Sequence, residues 1–375
     1  MDQGPALRPV RVLHVLNELR ASGAEVMLRS AAAEWTKYGV EAHVLAVAPT
    51  VGAFADELRL AGYGVAHELD DPLWRLPARF RHRVGTGEYD VVHLHAERGS
   101  FWLGLAALSA GAAVVRTVHS AFGFRGLLRV RRAVQRGVLR TAGVVHVCVG
   151  PGVAANERAT FGNPAEVVEN WYDETFVPPT PRQRALARAA LGLADGDLVA
   201  VSVGNCAPVK RHEAVLEAMA HPECPPNLVY LHVGEEVAAR TERRLSEQLG
   251  VADRVRFLGR THPLAALRAA DVFVMPSAYE GLSIAAIEAL ATGLPAVLAD
   301  VPGLRDVAGV SPAVLLTDVA PEHLVAAIRG AGRSLARSRA DSEEVTAVRD
   351  RFGVARGVAS YARIYRRLAS SGDFP

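Results

Sequence analysis

Short apolar runs alternate with helix-like segments along most of this chain. In the first half, apolar runs typical of buried strands occupy residues 11–16, 40–47, 91–94, 114–118 and 144–149. A helical pattern over residues 25–37 follows the first of them. Strands that alternate with helices predict parallel sheets with helices packed on their faces. We therefore expect an α/β protein built from Rossmann-like units.

The alternation stops once and then resumes, which predicts two domains. Residues 170–181 are rich in proline and show no periodicity, as expected for a linker. A second series of apolar runs follows at residues 198–203, 228–233, 255–258, 272–275 and 296–298. A length of 375 residues also suits two domains better than one. We place the domains at residues 1–175 and 176–352, with a last segment at 353–375.

Composition excludes several functional classes. A formal net charge of +2 argues against nucleic acid as a partner. Cys148, Cys206 and Cys224 form an odd set without C-x-x-C spacing, which predicts reduced thiols and a cytoplasmic location. The longest nearly apolar stretch, residues 101–115, is too short to span a bilayer. No cluster of histidines or cysteines has ligand spacing, so we expect no metal and no cofactor.

Two glutamates eight residues apart flank a predicted loop-to-helix junction. Glu280 lies where the helix is expected to begin, and Glu288 lies about two turns further along it. Between them, the N–H groups of Gly281, Leu282 and Ser283 belong to the positive end of a helix dipole, which favours phosphate. A ligand with a central diphosphate and hydroxyls at both ends, such as a nucleotide-sugar, would suit this arrangement. By itself, the pair of glutamates fits a solvated helix face equally well.

A second phosphate-binding pattern follows the strand at 198–203. Gly204 ends this strand, where a glycine lets a ligand approach the backbone. Lys210 lies at the start of the next helix and is one of only two lysines in the chain. Since arginine is strongly preferred elsewhere, we interpret Lys210 as a phosphate-binding cation rather than a surface lysine.

The residues around the two glutamates resemble a known family signature. The matching segments are Met275-Pro276-Ser277, Glu280-Gly281, Glu288-Ala289 and Gly293-Leu294-Pro295-Ala296-Val297. They are similar to the retaining family-4 glycosyltransferases, which have the GT-B architecture of two Rossmann-like domains facing a central cleft. The resemblance implies transfer of a sugar from a UDP- or GDP-sugar to a hydroxyl acceptor, without a metal. It also implies that segment 353–375 packs back on the first domain.

The resemblance implies a role for each residue on the donor side. Glu280 would hold the transferred sugar and stabilise the developing positive charge, and Glu288 would bind the ribose. Lys210 would contact the diphosphate. The family usually has an arginine directly after the glycine, whereas this chain has Asn205. Either Asn205 donates a neutral hydrogen bond to phosphate or Arg211 supplies the missing charge.

Further family matches lie in the first half of the chain. His119 ends the strand at 114–118, and the resemblance implies that it contacts the transferred sugar near the acceptor. Gly23 is the glycine that remains from the family's glycine-rich loop, although a plain strand-to-helix turn would explain it equally well. His93, within the strand at 91–94, is expected to be a core histidine.

An arginine-rich segment at residues 125–140 has two interpretations. Its six arginines are accompanied by no acid. A helical wheel places apolar and basic residues on opposite faces: Leu127, Val130, Val134 and Val138 against Arg129, Arg132, Arg136 and Arg140. The segment is either a surface helix with its apolar face on the core or, from Arg125 to Arg140, a patch for anionic membrane or a lipid-linked sugar acceptor. The second interpretation would make the protein peripheral to the inner face of the plasma membrane.

Three other functions fit a chain of this class. A nucleotide-sugar epimerase also uses two Rossmann-like domains, but segment 276–295 favours transfer. A nicotinamide dehydrogenase is disfavoured because no G-x-G-x-x-G follows the first strand. A non-catalytic nucleotide-sugar binding module is disfavoured by the combination of Glu280, Glu288 and Lys210, and a turnover assay distinguishes it from an enzyme.

Overall fold

The chain folds into two units, each organised around its own sheet. The computed structural model describes residues 8–68, 75–121, 123–236, 238–335 and 343–370. One unit runs to Trp171 and includes the segment from Gly353 onwards, and the other spans Tyr172–Phe352. The division falls four residues before the boundary placed after residue 175. The ends of the predicted domains, residues 1–7 and 371–375, lie outside the described residues.

The first unit contains a parallel sheet that, within the described residues, has seven strands in the order β3-β2-β1-β4-β5-β6-β7. Its strands are β1 (Val10–Leu16), β2 (Val40–Ala46), β3 (Gly64–His67), β4 (Val91–Leu94), β5 (Ala113–Val118), β6 (Val145–Cys148) and β7 (Glu166–Val167). Its helices are α1 (Gly23–Lys37), α2 (Ala55–Leu60), α3 (Leu76–Thr86), α4 (Ser100–Ser109), α5 (Gly126–Thr141), α6 (Pro151–Phe161) and the last helix of the chain, Val354–Ser370.

The second unit contains a parallel sheet with six strands among the described residues, in the order β10-β9-β8-β11-β12-β13. Its strands are β8 (Leu198–Val203), β9 (Leu228–Val233), β10 (Val255–Phe257), β11 (Val272–Met275), β12 (Ala296–Ala299) and β13 (Val314–Thr317). Its helices are α7 (Pro181–Ala190), α8 (Glu213–Ala220), α9 (Thr241–Gln248), α10 (Leu264–Ala269), α11 (Ile284–Ala291), α12 (Pro302–Ala308), α13 (Pro321–Leu335) and α14 (Glu343–Arg351), so that the last helix is α15.

The predicted α/β class with two Rossmann-like parallel sheets is confirmed. Strands β4, β5, β9, β11 and β12 are buried along their whole length, which explains why their apolar runs were visible in the sequence. Three strands escaped sequence detection: β3, β7 and β13. Each lies at an edge of its sheet and is largely exposed or half-buried, so no continuous apolar run marks it.

Helix α15 belongs to the first unit and packs on its central strands. Tyr361 and Tyr365 are both buried. The hydroxyl of Tyr365 lies 2.6 Å from Nδ1 of His93 on β4, and that of Tyr361 lies 2.9 Å from Oγ1 of Thr117 on β5. These buried polar contacts fix the position of the helix on the sheet because each hydroxyl needs a partner inside the core.

Strand order creates one switch point in each sheet. In the first unit β2 and β3 lie on one side of β1 and β4 lies on the other. In the second unit β9 and β10 lie on one side of β8 and β11 lies on the other. Ligands of open parallel sheets bind outside the carboxyl ends of the strands at such points. The loops after β1, β4, β8 and β11 are therefore where each unit would bind a ligand.

In the described part of the chain, no helix has both the length and the apolar character that crossing a bilayer requires.

Candidate active site

A lysine–glutamate ion pair lies at the switch point of the second unit. Nζ of Lys210, in the loop after β8, is 2.7 Å from Oε1 of Glu280, in the loop after β11. Their side chains are only 26% and 12% exposed, so the pair is partly shielded from water. Gly204 adopts φ +152°, and a Cβ there would lie 3.5 Å from Cε of Lys210. The structure thus brings Glu280 next to Gly204 and Lys210, although Lys210 and Glu280 are 70 positions apart in sequence.

Asn205 and Arg211 stabilise the loops that contain this pair. Oδ1 of Asn205 accepts a hydrogen bond of 2.9 Å from the backbone N–H of Glu235, after β9. Arg211 has a left-handed backbone at φ +50°, and its Nε donates to the carbonyl of Pro276 at 2.8 Å. Arg211 therefore holds the loop that leads to Glu280. The amide oxygen of Asn205 is occupied, so a contact with phosphate would have to come from its NH₂ group.

Helix α11 begins immediately after Ser283. The hydroxyl of Ser283 accepts a 3.3 Å hydrogen bond from the N–H of Ala286 and so caps the helix. Gly281, Leu282 and Ser283 are all buried. Glu288 lies in the second turn and is only 4% exposed, which argues against the solvated-face interpretation of this residue.

A glycine that sequence reasoning missed supports the loop with Glu280. Gly303 lies in the first turn of α12, and a Cβ there would overlap the carbonyl oxygen of Gly281 and lie 2.5 Å from that of Glu280. Only glycine lets α12 approach the loop so closely. The position of Gly303 in the sequence could have identified it, because Pro302-Gly303 follows the carboxyl end of β12, the strand next to β11.

The first unit contains four histidines at its own switch point. His14 on β1 is paired in register with His93 on β4, and His95 and His119 follow the ends of β4 and β5. Nδ1 of His14 is 3.0 Å from Nε2 of His95, and Nδ1 of His95 is 3.0 Å from Nε2 of His119. The three rings form a continuous hydrogen-bonded row that ends at His119. Sequence analysis had singled out His119 but not His14.

Burial keeps these histidines neutral. It lowers the pKa of His119 to about 4 and that of His14 to about 3, and it holds the pKa values of His93 and His95 well below the usual range. At neutral pH His119 therefore acts as a neutral hydrogen-bonding group rather than as a cation. Its Nε2 contacts His95, so Nδ1 is the atom that remains for a sugar hydroxyl.

Three of these rings have the proximity that a metal site requires. One nitrogen each of His14, His93 and His95 lies within 4.8 Å of the others. Both nitrogens of His93 are already paired, however, at 2.6 Å with the Tyr365 hydroxyl and at 2.7 Å with the Thr117 hydroxyl. His93 is thus the core histidine that the sequence predicted. A metal would have to displace these hydroxyl contacts.

Gly23 is the first residue of α1, and its neighbours include an unpredicted buried acid. Ser22 is the N-cap, and its hydroxyl hydrogen-bonds to the carboxylate of Glu25. Glu25 is only 5% exposed, and burial raises its pKa. Ala24 and the four histidines line one small cavity. The S-x-x-E pattern of a helix N-terminus at residues 22–25 was a signal for this carboxylate.

The arginine-rich helix α5 has the opposite orientation to that of an ordinary surface helix. The apolar residues Leu127, Val130, Val134 and Val138 are exposed, whereas Arg136 is buried. The interpretation that the apolar face packs on the core is therefore wrong. The cause is a pair of carboxylates beneath the helix, since Arg136 is bonded to both Glu157 and Glu97.

Two family models match adjacent parts of the chain. A model described as Glycosyltransferase Family 4 matches residues 21–176, and a model described as Glycosyl transferases group 1 matches residues 183–331. The first match lies almost wholly in the first unit and the second lies within the second unit.

Relatives are named as glycosyltransferases as well. The chain is 29% identical over 311 residues to a protein named as a glycosyltransferase, EpsF of Bacillus subtilis (strain 168), covering 77% of this chain and 79% of that protein. It is 33% identical over 278 residues to the D-inositol 3-phosphate glycosyltransferase of Geodermatophilus obscurus, covering 65% of this chain and 59% of the relative. The aligned part is thus little more than half of that second relative.

Solved structures share the whole fold. Anabaena Alr3699/HepE in complex with UDP superposes with a TM-score of 0.81 at 19% identity, covering 96% of this chain and 100% of that one. The same protein in complex with UDP-glucose gives 0.77 at 19% identity, with 96% and 99% covered. This likeness establishes the fold, and the family models and the relatives establish the activity class. The chain belongs to the glycosyltransferases of GT-B fold.

Proposed function

We propose that this protein is a retaining glycosyltransferase that moves a sugar from a nucleotide-diphosphate sugar to a hydroxyl acceptor. The observation that supports this most directly is the Lys210–Glu280 pair at the switch point of the second sheet. It combines a cation for a diphosphate with a carboxylate for sugar hydroxyls. The neighbouring start of α11 adds the positive end of a helix dipole.

The donor is proposed to be a UDP- or GDP-sugar. A diphosphate near Gly204 would meet the Lys210 ammonium and the amide group of Asn205. Glu288, nearly buried in α11, would bind the ribose hydroxyls. The complexes of Alr3699/HepE with UDP and UDP-glucose support a uridine nucleotide as the first donor to test.

The proposed reaction needs no protein nucleophile. The acceptor hydroxyl would attack the anomeric carbon from the face that the diphosphate leaves, and the leaving phosphate oxygen would take the acceptor's proton. Lys210 would stabilise the negative charge that develops on the leaving group. Glu280 would hold sugar hydroxyls and stabilise the positive charge on the ring, and neutral His119 would hydrogen-bond to the same sugar. No metal is required for any of these contacts.

The proposed acceptor is a hydroxyl-bearing sugar, free or lipid-linked, and the proposed location is the cytoplasm. None of the three cysteines forms a disulfide, and thiols are the expected state in a reducing compartment.

A donor panel tests the proposal. UDP- and GDP-sugars are incubated in EDTA with the protein and a hydroxyl-bearing sugar acceptor, and nucleotide release is followed together with thermal stabilisation. We expect one donor to release its nucleotide. We also expect a product made from an α-linked donor to keep the α-configuration. Stabilisation by a donor without any release would favour a binding module, and conversion of the donor to its epimer would favour an epimerase. A requirement for a divalent cation would contradict the metal-independent mechanism.

A further inference from the structure

We propose that helix α5 docks the first unit onto an anionic lipid bilayer, with its exposed apolar residues inserted at the membrane surface. This interaction does not depend on the proposed transfer reaction, because α5 contains none of the residues assigned to it.

The first observation is an apolar stripe that faces solvent. Leu127 is 89% exposed, Val130 55%, Val134 60% and Val138 40%. These residues follow one another at helical spacing, so they form a line about 16 Å long on one side of α5. Isolated exposed apolar residues are common, but a continuous stripe of four indicates a binding surface. The adjacent helix α4 also exposes Trp102.

The second observation is that the opposite side of α5 is firmly attached to the protein. Arg136 forms ion pairs of 2.8 Å with Glu157 and 3.2 Å with Glu97, and its guanidinium lies 4.1 Å from the centre of the Phe161 ring. Leu139 is buried nearby. Turning the apolar stripe inward would leave Glu157, which is fully buried, without its cation. An unpaired carboxylate in the interior is strongly destabilising, so the exposed orientation of the stripe is the stable one.

The third observation is the charge on the rest of the helix surface. Arg125, Arg129, Arg131 and Arg140 are exposed, and residues 123–141 contain no acid. Of these four, Arg131 lies next to the stripe on a helical wheel, and Arg129 and Arg140 lie on the other face. Among the described residues, Arg125, Arg129 and Arg131 form no ion pair. An exposed apolar face on a helix whose charged residues are all arginines is the pattern of a helix that lies in a membrane interface. Arginines near an anionic surface add electrostatic attraction to the burial of the stripe.

The same charge argues against a second copy of this chain as the occupant. A two-fold interface would place the same surface of both copies together. The arginines of the two helices would then face each other, and like charges repel. An acidic protein would satisfy the arginines, but a stripe on the convex surface of a single helix suits a flat, deformable lipid layer better than a shaped pocket.

Vesicle co-sedimentation with matched variants tests the proposal. The full-length protein is mixed with phosphatidylcholine vesicles, with or without about 30% phosphatidylglycerol. The double variant Leu127→Ser/Val134→Ser removes two stripe residues. Its control is Leu60→Ser/Leu186→Ser, because Leu60 and Leu186 are 88% and 61% exposed, close to the 89% and 60% of the stripe pair. Both variants then lose two side chains of similar fractional exposure, and the main difference between the variants is the location of the loss.

We expect the wild type to bind the anionic vesicles, and about 0.5 M salt to weaken that binding strongly. The stripe variant should bind about tenfold more weakly, and the control variant should bind like the wild type. Arg129→Glu/Arg131→Glu should abolish the preference for anionic lipid. Nucleotide release from the donor should stay within about twofold in all variants, which separates this result from any failure of the transfer reaction.

Several results would overturn the proposal. The wild-type protein could stay in the supernatant with anionic vesicles, or it could bind neutral and anionic vesicles equally well. The control variant could also lose as much binding as the stripe variant. A protein that does not bind vesicles but elutes as a dimer, with the dimer lost in Leu127→Ser/Val134→Ser, would identify a second copy as the occupant instead. Binding to an acidic protein without vesicle binding would identify a protein partner.

Discussion

Replacing Gly303 by alanine should damage the proposed site without adding any group to it. The new Cβ would overlap the carbonyl oxygen of Gly281 and lie 2.5 Å from that of Glu280. Both contacts are with backbone, which cannot rotate away as a flexible side chain can. Either the first turn of α12 or the loop at 280–281 must move by about 1 Å to restore normal contacts.

The size of the effect follows from that displacement. A shift of about 1 Å in a positioned group can reduce turnover by about 100-fold. Overpacking in a close-packed region also costs about 1–3 kcal/mol of the free energy of unfolding. We therefore expect Gly303→Ala to fold with a lowered melting temperature and to lose about 100-fold in kcat for the donor. The donor KM should change less, because Glu280 and not Glu288 is displaced.

A second glycine of the same helix segment provides the control. Gly309, directly after α12, has φ −64°, and a Cβ there would be 3.6 Å from the nearest atom, the carbonyl oxygen of Arg305. Gly309→Ala should therefore keep wild-type turnover. The assay is steady-state nucleotide release together with thermal unfolding. Wild-type kcat in a folded Gly303→Ala protein would refute the argument that this close approach positions Glu280.

Further predictions concern charges and pH. Lys210→Ala should reduce kcat/KM for the donor by about 100-fold, whereas Lys37→Ala, the only other lysine and 64% exposed, should have no effect on donor kinetics. Glu280→Ala should reduce kcat by about 100-fold, while Glu288→Ala should mainly raise the donor KM; full activity in either variant would contradict its assignment. Because burial lowers the pKa of His119 to about 4, the unfolded chain binds a proton before the folded one does. His119 alone should then lower the free energy of unfolding by up to about 3 kcal/mol as the pH drops from 6.5 towards 4. In His119→Gln the melting temperature should therefore fall less steeply over that pH range than in the wild type.

Local patterns were sufficient to predict the fold class. Buried parallel strands such as β11 and β12 are continuous apolar runs, and the helices between them keep their own period. The edge strand β13 could not be found in this way because half of its residues face solvent. A buried strand is visible in the sequence as a continuous apolar run, whereas a solvent-exposed strand such as β13 is not.

The candidate residues could be found individually, but not their contacts. Gly204, Lys210 and Glu280 were each visible at strand ends, yet the 2.7 Å ion pair joins residues 70 positions apart. The ion pair forms because β8 and β11 are neighbours in the sheet. A local sequence pattern does not predict the order of strands in a sheet, so it could not predict this contact. Gly303 was missed for the same reason, since its constraint is the backbone of another loop.

Helix α5 separates most clearly what the sequence determined from what the tertiary structure decided. Its composition and its two opposed faces were evident from the spacing of Leu127, Val134 and the arginines. Which face is buried depends on Glu97 and Glu157, which come from other parts of the chain and lie beneath Arg136. A helical pattern specifies two faces, but the residues beneath the helix determine which face is buried. Here the cost of leaving a buried carboxylate without a cation exceeds the gain from burying four more apolar side chains.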